Sequence, residues 1–274
     1  MYEKTGNRTT ARALIALLAV ALVFTMMPLT MGKVFAAEDG TVSGLMVTGD
    51  VAQDLNFKDM KEMKNNEAVK AATKKEVPVH WMNKKLTEGD VVVDGITLED
   101  LIGIAGLKSN AKLIGVSAFS GVDEYEAVFT KEQIEQQDLQ GNKAMFTWKM
   151  IDGGIESKVQ TVVRGQMTQE DINKSSWITD TAVLIVDALD KPVVTVKAGK
   201  KKATVKWGFD VDAEQFVVLR STKKSGKYSK VKVVKGKTSF TDKKVKKGKT
   251  YYYKVQAVAG DLNNTSAAKK VKVK

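Results

Sequence analysis

The chain has 274 residues, with 44 Lys plus Arg against 32 Asp plus Glu for a formal net charge of +12, a single histidine and no cysteine. The missing cysteines exclude a disulfide framework, a thiolate metal site and a lipid-modified N-terminal cysteine. One histidine argues against a zinc centre, which takes three or four protein ligands. The charge is unevenly spread: residues 37–188 carry 16 basic and 25 acidic side chains, residues 189–274 carry 24 and 6. Segments of opposite sign read as two domains with separate roles.

Residues 1–36 read as a signal peptide. Lys4, Arg8 and Arg12 precede an apolar stretch from Ala13 to Met27, and Val34-Phe35-Ala36 forms a small-residue cleavage site. Kept as an anchor, the stretch would approach the ~20 residues of a bilayer span, against which Thr25, Pro28 and Thr30 argue. No second such stretch follows, so the expectation is a secreted or cell-surface protein with no transmembrane span after cleavage. Its mature part begins near Ala37 and is stabilised by core burial alone.

In 37–188, Leu45–Val51 alternates as a half-buried strand. Phe57, Met60, Met63 and Val69 give one amphipathic helix over 57–69, its methionines core residues. Thr97-Leu98-Glu99-Asp100 places a hydroxyl cap ahead of the apolar face Leu98, Leu101, Ile102 and Ala105, with Gly106 as the exit. Strands are predicted at 111–118, 125–129, 144–149, 159–163 and 182–187, with a short helix capped by Thr130 and Gln133. Irregular interleaving of strands and helices predicts an α+β domain.

The order of these parts resembles the molybdopterin-binding domain of the sulfite oxidase family. The resemblance rests on Leu45–Val51, on Gly95–Ile102 followed by Ala105-Gly106-Leu107, and on 111–117, Asp123-Glu124-Tyr125, Met150–Gly153 and Trp177-Ile178. It implies that family's fold for 37–188 and, in its active members, an oxidoreductase holding molybdenum through a cysteine thiolate. The departures imply loss of that chemistry. His80-Trp81-Met82-Asn83 stands where the cysteine would fall, Gln160 replaces a phosphate-gripping arginine, Arg164 takes the place of a proline, and Ser176 that of a lysine. Without the thiolate and two phosphate-pairing cations, no cofactor is expected, molybdopterin included.

A cleft for some other small ligand is expected around His80, Trp81, Asn83, Tyr125, Arg164 and Trp177, because aromatic walls with a few polar groups typify such pockets. Core packing is the competing explanation for both tryptophans. No catalytic residue and no metal site is predicted: Asp123, Glu124 and Glu126 lack the EF-hand pattern, and no serine sits in a nucleophile elbow.

Residues 189–274 hold seven short alternating strands, at 193–197, 203–207, 215–220, 230–234, 238–241, 251–258 and 268–274, which is the arithmetic of an immunoglobulin-like sandwich. Trp207 on the second strand, and Val245 followed six residues later by Tyr251, resemble the fibronectin type III pattern, with Tyr251 as the corner tyrosine. Tyr253, Val255 and Ala257 should then face inward and Tyr252 outward. Gly-Lys-Thr at 236–238 and 248–250 lacks the further glycine of a phosphate loop and reads as two turns. The lysines sit on outer faces and rims. They serve either solubility and edge shielding, or salt-sensitive attachment to an anionic cell-envelope polymer or to a protein partner. Nucleic acid is not expected as a partner of an exported chain.

The sequence therefore predicts an exported, non-catalytic protein whose first domain binds a ligand or partner and whose basic module attaches it to a surface. The competing readings are an extracytoplasmic oxidoreductase with an altered site at His80–Asn83, and a first domain that is purely structural.

Overall fold

A computed structural model describes residues 42–122, 125–158, 160–208, 210 and 212–274. The expected signal peptide lies outside the described residues, as do Asp123 and Glu124. Two compact units result: Ala188–Lys274 with Asn110–Lys112 form one, and the remaining described residues form the other.

The first unit runs β1 (Leu45–Gly49), β2 (Leu55–Phe57), α1 (Met60–Asn65), α2 (Glu67–Ala72), β3 (Lys74–Met82), β4 (Glu88–Thr97), α3 (Leu98–Ala105), β5 (Lys112–Ser120), β6 (Glu126–Thr130), α4 (Lys131–Glu135), β7 (Met145–Asp152), β8 (Ile155–Ser157), β9 (Thr161–Val163), β10 (Ile178–Thr179) and β11 (Thr181–Leu189). One sheet is ordered β2-β1-β11-β5-β6 with β1 and β11 parallel. The other is β10-β9-β7-β4-β3, with β8 on β7. The main core draws Val47, Val116, Phe129 and Val186 from the first sheet and Ile96, Phe146, Val162 and Ile178 from the second.

The caps behave as their chemistry requires. Thr97 Oγ1 accepts from Asp100 N at 3.0 Å, and α3 exits through Gly106 at φ +66°. Thr130 and Gln133 form a reciprocal capping box on α4.

Two expectations are corrected. The single helix over 57–69 is two, because Asn66 is extended and its Oδ1 accepts from Ala68 N and Val69 N, so it closes α1 and starts α2. The α+β assignment gives way to a mainly β unit with four helices of five to eight residues among its described elements. The reason is the β3–β4 hairpin, which lysines, glutamates and Pro78 hide from a search for alternation. Pro78 is tolerated because β3 is an edge strand. Gly95 sits at a register shift of β4, where a Cβ would meet the Phe146 carbonyl oxygen at 2.2 Å.

The second unit continues with β12 (Val194–Gly199), β13 (Lys202–Trp207), β14 (Gln215–Ser221), β15 (Ser229–Val234), β16 (Ser239–Asp242), β17 (Thr250–Ala259), β18 (Leu262–Thr265) and β19 (Lys269–Lys272). Sheets β12-β13-β16 and β15-β14-β17-β18, with β19 also on β17, are antiparallel throughout. All seven expected strands are present, and β18 is an addition. Between the sheets Trp207 meets Phe216 with ring centroids 5.6 Å apart, over buried Val205, Val218, Tyr253, Val255 and Ala257. This is an immunoglobulin-like sandwich. Tyr251 Oη accepts from Lys246 N at 3.1 Å, the corner contact expected of it. Gly236 and Gly248 turn with positive φ at the two Gly-Lys-Thr triplets.

Candidate functional site

The six residues expected to line a cleft separate into two groups. Consecutive strand residues face opposite ways, so His80 and Trp81 on β3 cannot share a pocket. His80 Nδ1 lies 2.8 Å from Asp90 Oδ1 and Nε2 lies 3.5 Å from Glu88. The Asp90 hydrogen bond raises the imidazole pKa against the opposing effect of burial, with Glu88 adding to the rise. Asn83 closes the hairpin: its Oδ1 accepts from Lys85 N at 2.8 Å and from Thr87 N at 3.1 Å.

Trp81, Tyr125, Arg164 and Trp177 do converge, on a 3-10 turn at Asn173–Ser176. Asn173 is fully buried. Its Nδ2 donates to the carbonyls of His80 (3.0 Å) and Arg164 (2.7 Å), and its Oδ1 accepts from Met82 N (2.8 Å). Trp177 Nε1 donates to the Arg164 carbonyl at 2.9 Å, and Tyr125 Oη to the Ser175 carbonyl at 3.0 Å. Lys174 places its ammonium 3.4 Å from the Trp81 ring centroid and 5.7 Å from that of Trp177. Both indoles rest on a cluster of Val79, Val91, Val93, Met145 and Val163. Gly89 sits against Trp81, where a Cβ would meet the ring at 2.8 Å.

Arg164 is itself buried and forms a two-pronged pair with Asp171, whose Oδ2 also accepts from Met167 N at 3.0 Å. Burial works to raise the Asp171 pKa, yet the Arg164 and Met167 hydrogen bonds and the guanidinium charge hold it below the usual carboxylate range. Beside the pair lies an open depression of about 380 Å³, lined by Thr130, Gln133, Met167 and Asp171 among others. Asn173, Lys174 and Asp171 were not anticipated. Their only signal is the polar run Asp171–Ser176, rich in turn formers.

Elsewhere in the first unit, Asp187 has its pKa pushed up to about 7 by burial and by the charge of Asp50, with the Ser117 hydroxyl opposing and Glu126 reinforcing the shift. Among the described residues no group of three or more His, Asp or Glu side chains is arranged to hold a metal ion. No described helix is long and apolar enough to cross a membrane.

In the sandwich, Arg220 Nη1 donates to Asp242 Oδ2 at 2.7 Å, and Tyr253 Oη donates to the same oxygen at 2.9 Å. Burial, then the Asp242 carboxylate, raise the Tyr253 pKa. The rim lysines Lys223, Lys224, Lys243, Lys244, Lys246 and Lys247 are all exposed.

No family model matches the sequence, and no curated protein matches it. Among solved structures, an Fn3-like protein from Clostridium thermocellum is 27% identical over 31% of this chain and 93% of its own, with a TM-score of 0.29. A human fibronectin type III domain is 23% identical over 30% of this chain and 70% of its own, at 0.27. A pectate lyase from Pectobacterium carotovorum is 21% identical over 30% of this chain, at 0.29, and the chain spans 27% of that enzyme. These neighbours are fibronectin type III-like in part, and the alignments reach about a third of the chain.

Proposed function

We propose that the protein is an exported, non-catalytic attachment protein, in which the basic sandwich, read as a fibronectin type III module, grips an anionic cell-envelope polymer and the first unit presents a surface to a partner. One observation carries this: residues 189–274 hold 24 basic and 6 acidic side chains, so at least eighteen cations have no acid within the module to pair with. Such a field concentrates polyanions and weakens with salt. The full-length protein should bind immobilised anionic polymer at low ionic strength and elute as salt rises. Retention unchanged between low and high salt would overturn the mechanism.

For the first unit, the motif order supports a frame like that of the sulfite oxidase family, but its residues do not fit the cofactor. Gln160, in the place of a phosphate-binding arginine, is buried and donates to the carbonyls of Gly44 (2.9 Å) and Thr181 (2.8 Å). Arg164 is closed by Asp171, and the chain has no thiolate. Protein purified from molybdenum-replete cells should carry neither metal nor pterin. Stoichiometric molybdenum would restore the oxidoreductase reading. The purely structural reading of this unit is favoured by the region from His80 to Trp177, where Asn173, Lys174 and the two indoles pack against one another in place of a cleft.

A further inference from the structure

The two outer faces of the sandwich are not alike. On the three-stranded sheet the outward positions of β12, β13 and β16 are Thr195, Lys197, Lys202, Thr204, Lys206, Ser239 and Thr241, hydroxyls and lysines without an aromatic ring. On the other sheet, Leu219 pairs across to Lys230 on one side and Lys254 on the other, Val217 to Val233, and Tyr252 to Lys270. Tyr228 lies over Lys254 with the ammonium 4.6 Å from its ring centroid, and its hydroxyl donates to the Lys224 carbonyl at 2.9 Å, which fixes the ring beside the strands. None of the five strands β14, β15, β17, β18 and β19 contains an aspartate or glutamate.

Solubility alone requires charge, not a tyrosine pair and half-buried aliphatic residues placed between lysines on only one of two lysine-bearing faces. We infer that this face, centred on Tyr228, Tyr252, Lys254 and Lys270, is a binding site for an anionic glycan. The tyrosine rings, Val217 and Leu219 contact the sugar rings, while the lysines on β15, β17 and β19 take the carboxylates or phosphates. Neighbouring strands are about 4.8 Å apart, so Lys230 and Lys254, two strands apart on either side of Leu219, meet charges about 10 Å apart along an extended chain. A face whose Val217 and Leu219 are half-buried suits a linear polymer better than a bilayer, which needs protruding apolar side chains to enter it. The inference rests on the attachment reading above and narrows it to one face and one ligand chemistry.

The test measures binding of the full-length protein to polygalacturonate, to polyglutamate of equal carboxylate density, to phosphatidylglycerol vesicles and to oligo-dT. Polygalacturonate should bind at least fivefold more tightly than polyglutamate, which has the charge without the rings. Tyr228→Ala with Tyr252→Ala should weaken the glycan at least tenfold and change polyglutamate less than twofold. Lys254→Gln with Lys270→Gln should weaken the glycan about tenfold, against less than twofold for Lys197→Gln with Lys206→Gln on the opposite sheet. Equal losses from the two lysine pairs, or tighter binding to vesicles or oligo-dT, would overturn this site and leave the attachment reading standing. Failure of the unaltered protein to bind any of the polyanions at low salt would overturn both. If the double tyrosine variant does not fold, the lysine pairs decide.

Discussion

Each unit holds an arginine–aspartate pair with one buried partner, and the two pairs do different work. In the sandwich Asp242 is 2% exposed and one of its oxygens takes both Arg220 and the Tyr253 hydroxyl, so the carboxylate ties β14, β16 and β17 across the core. In the first unit Arg164 and Asp171 are seven residues apart in one loop-rich stretch, and the pair shapes a local turn. Asn173, not the ion pair, joins that turn to β3. The difference teaches that a carboxylate reaching several strands does more for a fold than one closing a local turn, since closure entropy grows, though slowly, with the length of chain bridged.

The sharpest way to break the comparison is Asp242→Ala. Stranding Arg220 and the tyrosine hydroxyl should cost about 3 to 5 kcal/mol, read as lost hydrogen-exchange protection in β14 and β17 of the full-length protein. Protection equal to the unaltered chain would refute the cross-sheet role. Asn173→Ala comes next, at about 2 to 3 kcal/mol, since it leaves the His80 carbonyl and the Met82 amide without their Asn173 partner and takes one of two donors from the Arg164 carbonyl. A loss below that from Asp171→Ala would show that the amide outweighs the ion pair.

Asp187 sharpens the contrast through its sign. Its folded pKa of about 7 lies above the ordinary aspartate value of 3.8, so between those values the folded state holds a proton that the unfolded state has shed, and stability falls as pH rises through the window. Asp187→Asn should therefore stabilise the protein at pH 8, on the order of 2 kcal/mol after allowing for relaxation, and have no effect near pH 3. Asp171, depressed by Arg164, behaves oppositely: its contribution is present at neutral pH and lost as pH falls through its folded pKa. Urea midpoints at the two pH values separate them. The smallest effect is that of Lys174→Met, about 0.5 to 1 kcal/mol for the lost cation–π contact, visible as a change in indole fluorescence.

The sandwich was legible because most of its strands alternate and its turns carry Gly, Asp, Asn or Ser, so seven strands could be placed by period, and the Tyr251 corner by its resemblance to the fibronectin type III pattern. The first unit was legible at its caps, where Thr97 and Thr130 announce their helices, and at β1, β5, β6, β7, β9 and β11, each of which overlaps an expected strand. Its β3–β4 hairpin escaped because one face is polar and an edge strand tolerates Pro78. Of the site, the tryptophans and Arg164 were visible as unusual residues. Asn173 was not, because a buried asparagine satisfied by distant carbonyls looks like any loop asparagine until the chain is folded.

The backbone groups of Pro78, His80 and Met82 that face away from β4 are a ready template on which a strand from another molecule could add. Pro78 has no donor to offer there, its carbonyl is taken by Asn142 at 2.9 Å, and Asn173 occupies the next two positions. Asn142 and Asn173 thus hold ladder groups of Pro78, His80 and Met82 that an added strand would need.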